Sequence, residues 1–167
     1  MRHDRTCDER GLTLTELTIV AVLALLVSAA IVTFYINSQA SWTDASSKSI
    51  TQREATALVS HMANEAHRSS QAVVTLVDGA NCRLEFFDAG QGVARYAFWW
   101  DPADSLVHEG SGAQSTASGT STVERFALTP CTSCDSLVEL TSLTMRSADG
   151  RRITMSTTMA MYNRASP

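Results

Sequence analysis

A long uncharged stretch near the amino terminus constrains this chain more than any other feature. No Asp, Glu, Lys or Arg occurs from Leu17 to Thr43, and residues 17–36 are almost all apolar. About 20 helical residues span ~30 Å, the thickness of the hydrocarbon core of a bilayer. The stretch therefore predicts a transmembrane helix. Glu16 lies at its start, and because an ionisable group there is costly to immerse in lipid, it suggests a function.

The residues around this carboxylate form a short motif. Gly11-Leu12-Thr13-Leu14-Thr15-Glu16, followed by the apolar segment, resembles the class III signal of type IV pilins and pseudopilins. The resemblance implies that prepilin peptidase removes a leader, residues 1–11, by cutting between Gly11 and Leu12, and that Leu12 is then N-methylated. The chain departs from the family at Leu12, where phenylalanine is usual, and at Thr33, where many major pilins have a helix-kinking proline.

The resemblance also implies a role for Glu16 in assembly. Cleavage creates an α-amino group whose ordinary pKa is about 7.7–8.0, so it is mostly cationic at neutral pH. In a bundle of parallel helices, the ammonium of one subunit can face Glu16 of another, and each charge offsets the desolvation of the other. The family uses this pairing to set the axial register between subunits. The alternative is that Glu16 only reaches back to interfacial water.

Flanking charge predicts the orientation of the helix. Arg2, Arg5 and Arg10 precede the apolar segment, whereas only Lys48 follows within a similar distance. Basic residues favour the cytoplasmic side. We therefore expect a single-pass protein of the inner (cytoplasmic) membrane, with its amino terminus in the cytoplasm and residues beyond about 40 outside. An ordinary secretory signal cleaved after Ala29 is the alternative, although the front glutamate and the leader without net side-chain charge fit it poorly.

Bulk properties limit the size of the exported part and its partners. Removal of 11 residues from 167 would leave 156, enough for the long helix and one small domain. The net charge is −4, which gives no support for nucleic-acid binding. The predicted partners are other pilin or pseudopilin subunits, the prepilin peptidase/methyltransferase and the inner membrane.

Periodicity divides the chain beyond the hydrophobic helix, residues 12–36, into two further parts. Residues 37–70 are read as a polar continuation of the helix, with a serine-rich start that could fray or bend. An i, i+3, i+4, i+7 pattern follows, formed by Ala55, Leu58, Val59, Met62, Ala63 and Ala66. Residues 71–167 alternate like strands, with turn signals at Asp78-Gly79 and Asp149-Gly150. The pattern predicts an α+β fold, in which a long helix precedes an antiparallel sheet.

The predicted strands are separated by turns and by one longer loop. They cover residues 73–77, 82–87, 93–100, 106–108, 123–128, 137–145 and 153–162. Residues 110–122 are rich in Ser, Thr and Gly and are expected to form a mobile loop. Because neighbouring side chains of a strand point to opposite faces, one of Trp99 and Trp100 should enter the core.

Three cysteines would remain after removal of the leader, which contains Cys7. In an oxidising compartment they favour a disulfide, either Cys131–Cys134 or one of these with Cys82. A redox motif at Cys131 and Cys134 should open a helix, but the residues after it resemble a strand. Zinc binding lacks a second close pair of ligands, so no metal site is predicted.

No pattern in the chain predicts an enzyme or a cofactor. His61 and His67 lie six residues apart and are expected on the surface, and His108 is expected at a solvated strand end. Neither a nucleophile elbow nor a phosphate-binding glycine loop occurs. The sequence therefore favours a non-enzymatic, minor structural subunit of a type IV pilus or of a type II secretion-like pseudopilus. A secreted or membrane-anchored binding domain is the alternative.

Overall fold

The structure is a computed structural model that describes residues 13–79, 81–111, 114–130 and 137–161. Within these ranges, one long helix, α1, spans Leu14–Arg68 and precedes eight strands. These are β1 (Gln71–Asp78), β2 (Asn81–Phe87), β3 (Tyr96–Asp101), β4 (Leu106–Gly110), β5 (Thr116–Ala117), β6 (Thr122–Pro130), β7 (Leu137–Arg146) and β8 (Arg152–Ala160). The predicted α+β class is confirmed. The chain divides between Thr43 and Asp44 into two compact units.

In the second unit, α1 packs on the domain through the stripe that the sequence predicts. Ala55, Leu58, Met62 and Ala66 are buried, and Val59 and Ala63 pack partly against the same core. The helix ends at Arg68, where the Ser69 hydroxyl donates a 2.7 Å hydrogen bond to the carbonyl oxygen of Glu65. A hydroxyl that bonds the last turn satisfies a carbonyl with no partner inside the helix. The helical assignment also continues through residues 37–49 without a break.

The strands form two antiparallel sheets rather than one. Strands β1 to β5 pair in chain order in a five-stranded sheet, and β6 to β8 pair in chain order in a three-stranded sheet. Buried polar atoms of β2 connect the two sheets. Asn81 Oδ1 accepts a 2.7 Å hydrogen bond from the backbone N–H of Phe126, and Cys82 Sγ accepts one of 3.4 Å from that of Leu128. The backbone N–H groups of Phe126 and Leu128 on β6 therefore find acceptors on a strand of the other sheet.

The core lies between the second-unit part of α1 and the inner faces of both sheets. Its largest fully buried side chains include Phe86, Phe98, Phe126 and Met62. Trp100 also faces inward, and its indole N–H donates a 3.0 Å hydrogen bond to the carbonyl oxygen of Val123. Trp99 lies on the opposite face, so the prediction that one tryptophan enters the core is confirmed.

The turns agree with the sequence patterns better than the strand boundaries do. Gly79 and Gly150 have φ of 53° and 85°, a left-handed conformation that favours glycine, and both Asp-Gly turn predictions are confirmed. The prediction that a strand begins at residue 93 is wrong, because β3 begins at Tyr96. The expectation of a loop over residues 110–122 is also only partly right, since β5 pairs there with β4.

Candidate functional site at the start of the helix

The first turn of α1 is a capping box built by Thr13 and Glu16. The backbone N–H of Thr13 donates to Glu16 Oε2 at 2.9 Å, and the Thr13 hydroxyl donates to the same oxygen at 2.9 Å. In return, the backbone N–H of Glu16 donates to Thr13 Oγ1 at 3.4 Å. Each residue thus satisfies a backbone donor that the start of a helix leaves without a partner. The Thr-x-x-Glu spacing is visible in the sequence, although the prediction for Glu16 did not include it.

Glu16 therefore has a structural role in addition to the one that its charge suggests. Both of its hydrogen bonds end on Oε2, and Oε1 contacts no polar group among the described residues. A carboxylate has acceptor positions on both oxygens. The capping geometry consequently holds the side chain in place and leaves one oxygen open to a donor from elsewhere. A register role and a capping role are chemically compatible.

Behind this turn, the apolar part of α1 is exposed along its whole length. Every residue from Thr13 to Thr43 is exposed, including Leu17 at 61%, Leu25 at 70% and Phe34 at 76%. Such a surface is unfavourable in water and needs lipid or protein to cover it. Among the described residues, α1 is the one helix long and apolar enough to cross a membrane. The chain thus carries a single apolar helix compatible with a membrane anchor.

The hydroxyl groups of this segment bond to the helix itself. Ser28 Oγ donates to the carbonyl oxygen of Ala24, and Thr33 Oγ1 to that of Ala29, both at 2.8 Å. Thr18 Oγ1 donates in the same way to Thr15. Bonds of this kind let Ser and Thr sit in an apolar medium without an unsatisfied donor. The hydroxyls are therefore no obstacle to a lipid-facing position.

The remaining predicted site residues are only partly described. Gly11 and Leu12, the predicted cleavage site, lie outside the described residues, as do Cys131 and Cys134. Cys82 is buried on β2 and bonds the backbone of Leu128. A disulfide that involves these cysteines thus stays a prediction.

Glu54 fixes the helix to the 118–122 segment, a contact that no local sequence pattern indicates. Its carboxylate accepts hydrogen bonds from Thr120 Oγ1 at 2.7 Å and from the backbone N–H of Ser121 at 2.9 Å. Partial burial raises the pKa of Glu54, but the hydrogen bonds from Ser121 and Thr120 outweigh it and leave the pKa below its ordinary value. The contact therefore stabilises the ionised form.

A second polar contact anchors the last turns of the helix. Arg95 donates from Nη2 to Ser69 Oγ at 3.0 Å and lies 2.9 Å from Glu65 Oε2. Its Nε lies 3.0 Å from Asp88 Oδ1. Glu65 is buried, with its side chain 8% exposed, so its charge needs this partner. The arginine thus joins the helix to the segment before β3.

The surface position predicted for His61 is only partly right, because one side of its ring is covered. Its Nδ1 lies 2.7 Å from Glu109 Oε2, and its ring packs against Tyr96 and Phe98 at centroid distances of 5.3 and 5.4 Å. Burial, together with the charges of Glu109 and Glu65, raises the pKa of Tyr96. Helical spacing cannot reveal a contact between the helix and β4. His67 is exposed, as expected.

The predicted solvated position of His108 is only partly right. This side chain is 18% exposed on β4, where its Nε2 lies 2.8 Å from Asp104 Oδ2. Donor atoms of Asp101, Asp104 and His108 lie within 4.8 Å of one another. However, Asp101 and Asp104 already accept backbone hydrogen bonds from Ala103 and Leu106 within the turn. The hairpin explains this cluster, and we assign it no metal.

The chain was compared with known proteins in three ways. Protein-family models, curated proteins and solved structures all gave no match.

Proposed function

We propose that this chain is a non-enzymatic, minor structural subunit of a type IV pilus or of a type II secretion-like pseudopilus. The observation that carries the proposal is the first turn of α1, where a carboxylate precedes an exposed and uncharged stretch of the same helix, residues 17–43. The motif from Gly11 to Glu16 supports it. We also propose that the amino terminus lies in the cytoplasm and that the strand-rich domain lies outside.

In this proposal, prepilin peptidase cuts between Gly11 and Leu12, and the new amine at Leu12 is methylated. The capping box holds Glu16 in place. Its open Oε1 accepts a hydrogen bond from the ammonium group of Leu12 of a neighbouring subunit. Because the two charges offset each other's desolvation, the pair is favoured in an apolar bundle over either charge alone. The pairing would set the axial register between neighbouring helices.

The exposed residues of the helix suit two surroundings in turn. In the membrane they would contact lipid, and in the filament they would contact other helices. Ala21, Ala24, Ser28 and Ala29 are small, which permits a close approach of helices. The ion pairs of the exported domain join its own elements, as Arg95 does with Glu65. These charged side chains hold the elements of the domain together, and such a use of charge supports a structural role.

The first test is the amino-terminal residue of the mature protein and the behaviour of Glu16 variants in a host that assembles such filaments. We expect the purified chain to begin at Leu12. Glu16→Ala should be processed normally, yet enter filaments at least about a hundredfold less, because an unpaired charge in an apolar site costs about 3–5 kcal/mol. Cell-surface filaments sheared from the cells and quantified by immunoblot give this measurement.

Two matched variants separate charge from capping. Glu16→Gln can still form the capping box but has no charge, so it should fail to assemble like Glu16→Ala. Thr13→Ala loses the hydroxyl but keeps the carboxylate, so it should assemble. Normal assembly of Glu16→Gln would refute the register role. A mature chain that begins at Ala30 would instead identify a secretory signal.

A further inference from the structure

One carboxylate oxygen between α1 and the five-stranded sheet depends on a histidine. Glu109 lies on β4 with its side chain 16% exposed, and its Oε2 is buried. His61 Nδ1 on α1 lies 2.7 Å from this oxygen, which accepts no hydrogen bond from any other described residue. A buried carboxylate without a partner costs free energy, because it has lost the water that would solvate its charge. How well Glu109 is paired therefore depends on the protonation of the imidazole.

The charges around this contact leave the imidazole as its source of positive charge. Glu65 lies one turn beyond His61 on α1, and Arg95, in the segment before β3, contacts Glu65 at 2.9 Å. The ring of Tyr96 on β3 packs against the imidazole but cannot become a cation. Burial and the charges of Glu109 and Glu65 raise the pKa of this phenol. Among the described residues, Glu109 forms no ion pair with a lysine or an arginine, so His61 is the group that can offset its charge.

We propose that His61 and Glu109 form a proton-dependent clamp between α1 and β4. When His61 takes up a proton, a cationic imidazolium faces the buried carboxylate. When it gives the proton up, the attraction between opposite charges is lost. Histidine is the side chain that ordinarily changes charge between about pH 5 and 8, so the clamp responds to mild acid. The inference goes beyond the proposed function, because it concerns the strand-rich domain and depends on neither cleavage nor assembly.

The direction of the response follows from proton linkage. The folded chain places the Glu109 carboxylate 2.7 Å from the imidazole of His61. The unfolded chain does not hold these two residues together, so folding and proton uptake by His61 favour each other. The stabilisation is present while His61 is protonated and is lost as the pH rises and the proton leaves. Because the His61 side chain is 39% exposed, water screens the pair and the response should be modest.

A histidine titration of the full chain in detergent micelles tests the clamp directly. The ¹⁵N shifts of the labelled imidazoles report protonation, and loss of a signal in His61→Gln identifies His61. In Glu109→Gln, the midpoint of the His61 titration should lie at least about 0.5 pH unit lower than in the unmodified chain, because a nearby opposite charge favours the charged form. Glu139→Gln is the matched control, since it removes an exposed carboxylate on β7 of the other sheet. It should leave the midpoint unchanged.

Thermal unfolding measures the attachment itself. Between about pH 8 and pH 5.5, the unfolding temperature of the unmodified chain should rise by about 1–4 °C more than that of His61→Gln. The other titrating groups are common to both proteins and cancel in this comparison. If Glu109→Gln did not fold, this comparison would decide alone. An equal His61 midpoint in Glu109→Gln and the unmodified chain, or a pH response that His61→Gln keeps in full, would each overturn the proposal.

Discussion

Two carboxylates of this chain form hydrogen bonds at very different separations along the sequence. Glu16 closes a helix turn while keeping one oxygen open, and Glu54 joins the helix to a loop 66 residues later in the chain. Neither partner of Glu54 lies near it in sequence, so local patterns could not predict the contact. The Thr13–Glu16 box is the opposite case, since both residues and their spacing are visible in the sequence. The prediction for Glu16 rested on its charge and not on the backbone donors of the first turn, so it did not include the box.

Replacement of Glu54 by glutamine should lower the free energy of unfolding at neutral pH by about 1 kcal/mol, because glutamine cannot accept charge-assisted hydrogen bonds. The effect is small because water still reaches the site and screens the charge. The sign with pH follows from its lowered pKa in the folded state. The stabilisation is present above the ordinary value of 4.5 and is lost as pH falls through the lower folded value. Thermal unfolding of both proteins at pH 7 and pH 3 should therefore show a difference that shrinks in acid. A constant difference would contradict the ionic origin.

At the scale of elements, the helix and most strands follow from periodicity alone. The stripe from Ala55 to Ala66 predicts the buried face because a helix repeats every 3.6 residues. The strand predictions agree with most observed strands within a few residues. The division into two sheets was not predictable from periodicity, since it depends on which strands pair with each other, and periodicity does not encode pairing. Buried contacts such as Asn81 with Phe126 join residues 45 positions apart, and no local pattern encodes that pairing.

Met62 tests how strongly the helix is held on the sheets. It is completely buried, so Met62→Ala should reduce the free energy of unfolding by about 2–5 kcal/mol through lost burial and a cavity. Met62→Leu preserves most of the volume and should cost less than about 1.5 kcal/mol. Urea unfolding followed by tryptophan fluorescence measures both.

Thr56→Ala serves as the control on the exposed side of the same helix and should change stability by no more than about 0.5 kcal/mol. If Met62→Ala were as mild as this control, the helix would not depend on that contact.

At the scale of the whole molecule, the sequence predicted a membrane helix followed by an exported domain. The structure supports the coarse part of this expectation, one exposed apolar helix near the amino terminus. The predicted orientation rests on three basic residues of the predicted leader, Arg2, Arg5 and Arg10. Those residues lie outside the described part, and their effect is electrostatic rather than conformational. An experiment in cells must therefore decide it.

A reporter enzyme that is active only outside the cytoplasm should be active when fused to the carboxyl terminus. Replacement of Arg2, Arg5 and Arg10 by serine should lower that activity, because the positive flank that holds the amino terminus inside is lost. Deletion of residues 17–36 should abolish the activity and serves as the control. An inactive fusion of the unmodified chain, with normal expression, would contradict the orientation.

The back-bonded hydroxyls of Ser28 and Thr33 have a consequence for how such a subunit could leave the bilayer. Each donor already has its acceptor one turn away, so for these two side chains a transfer from lipid into a protein bundle would break no polar bond and require no new one. Around them, the proposed step would exchange acyl chains for neighbouring side chains, which is a change in van der Waals partners. Such a helix can move from one apolar phase to another with its internal polar bonds intact.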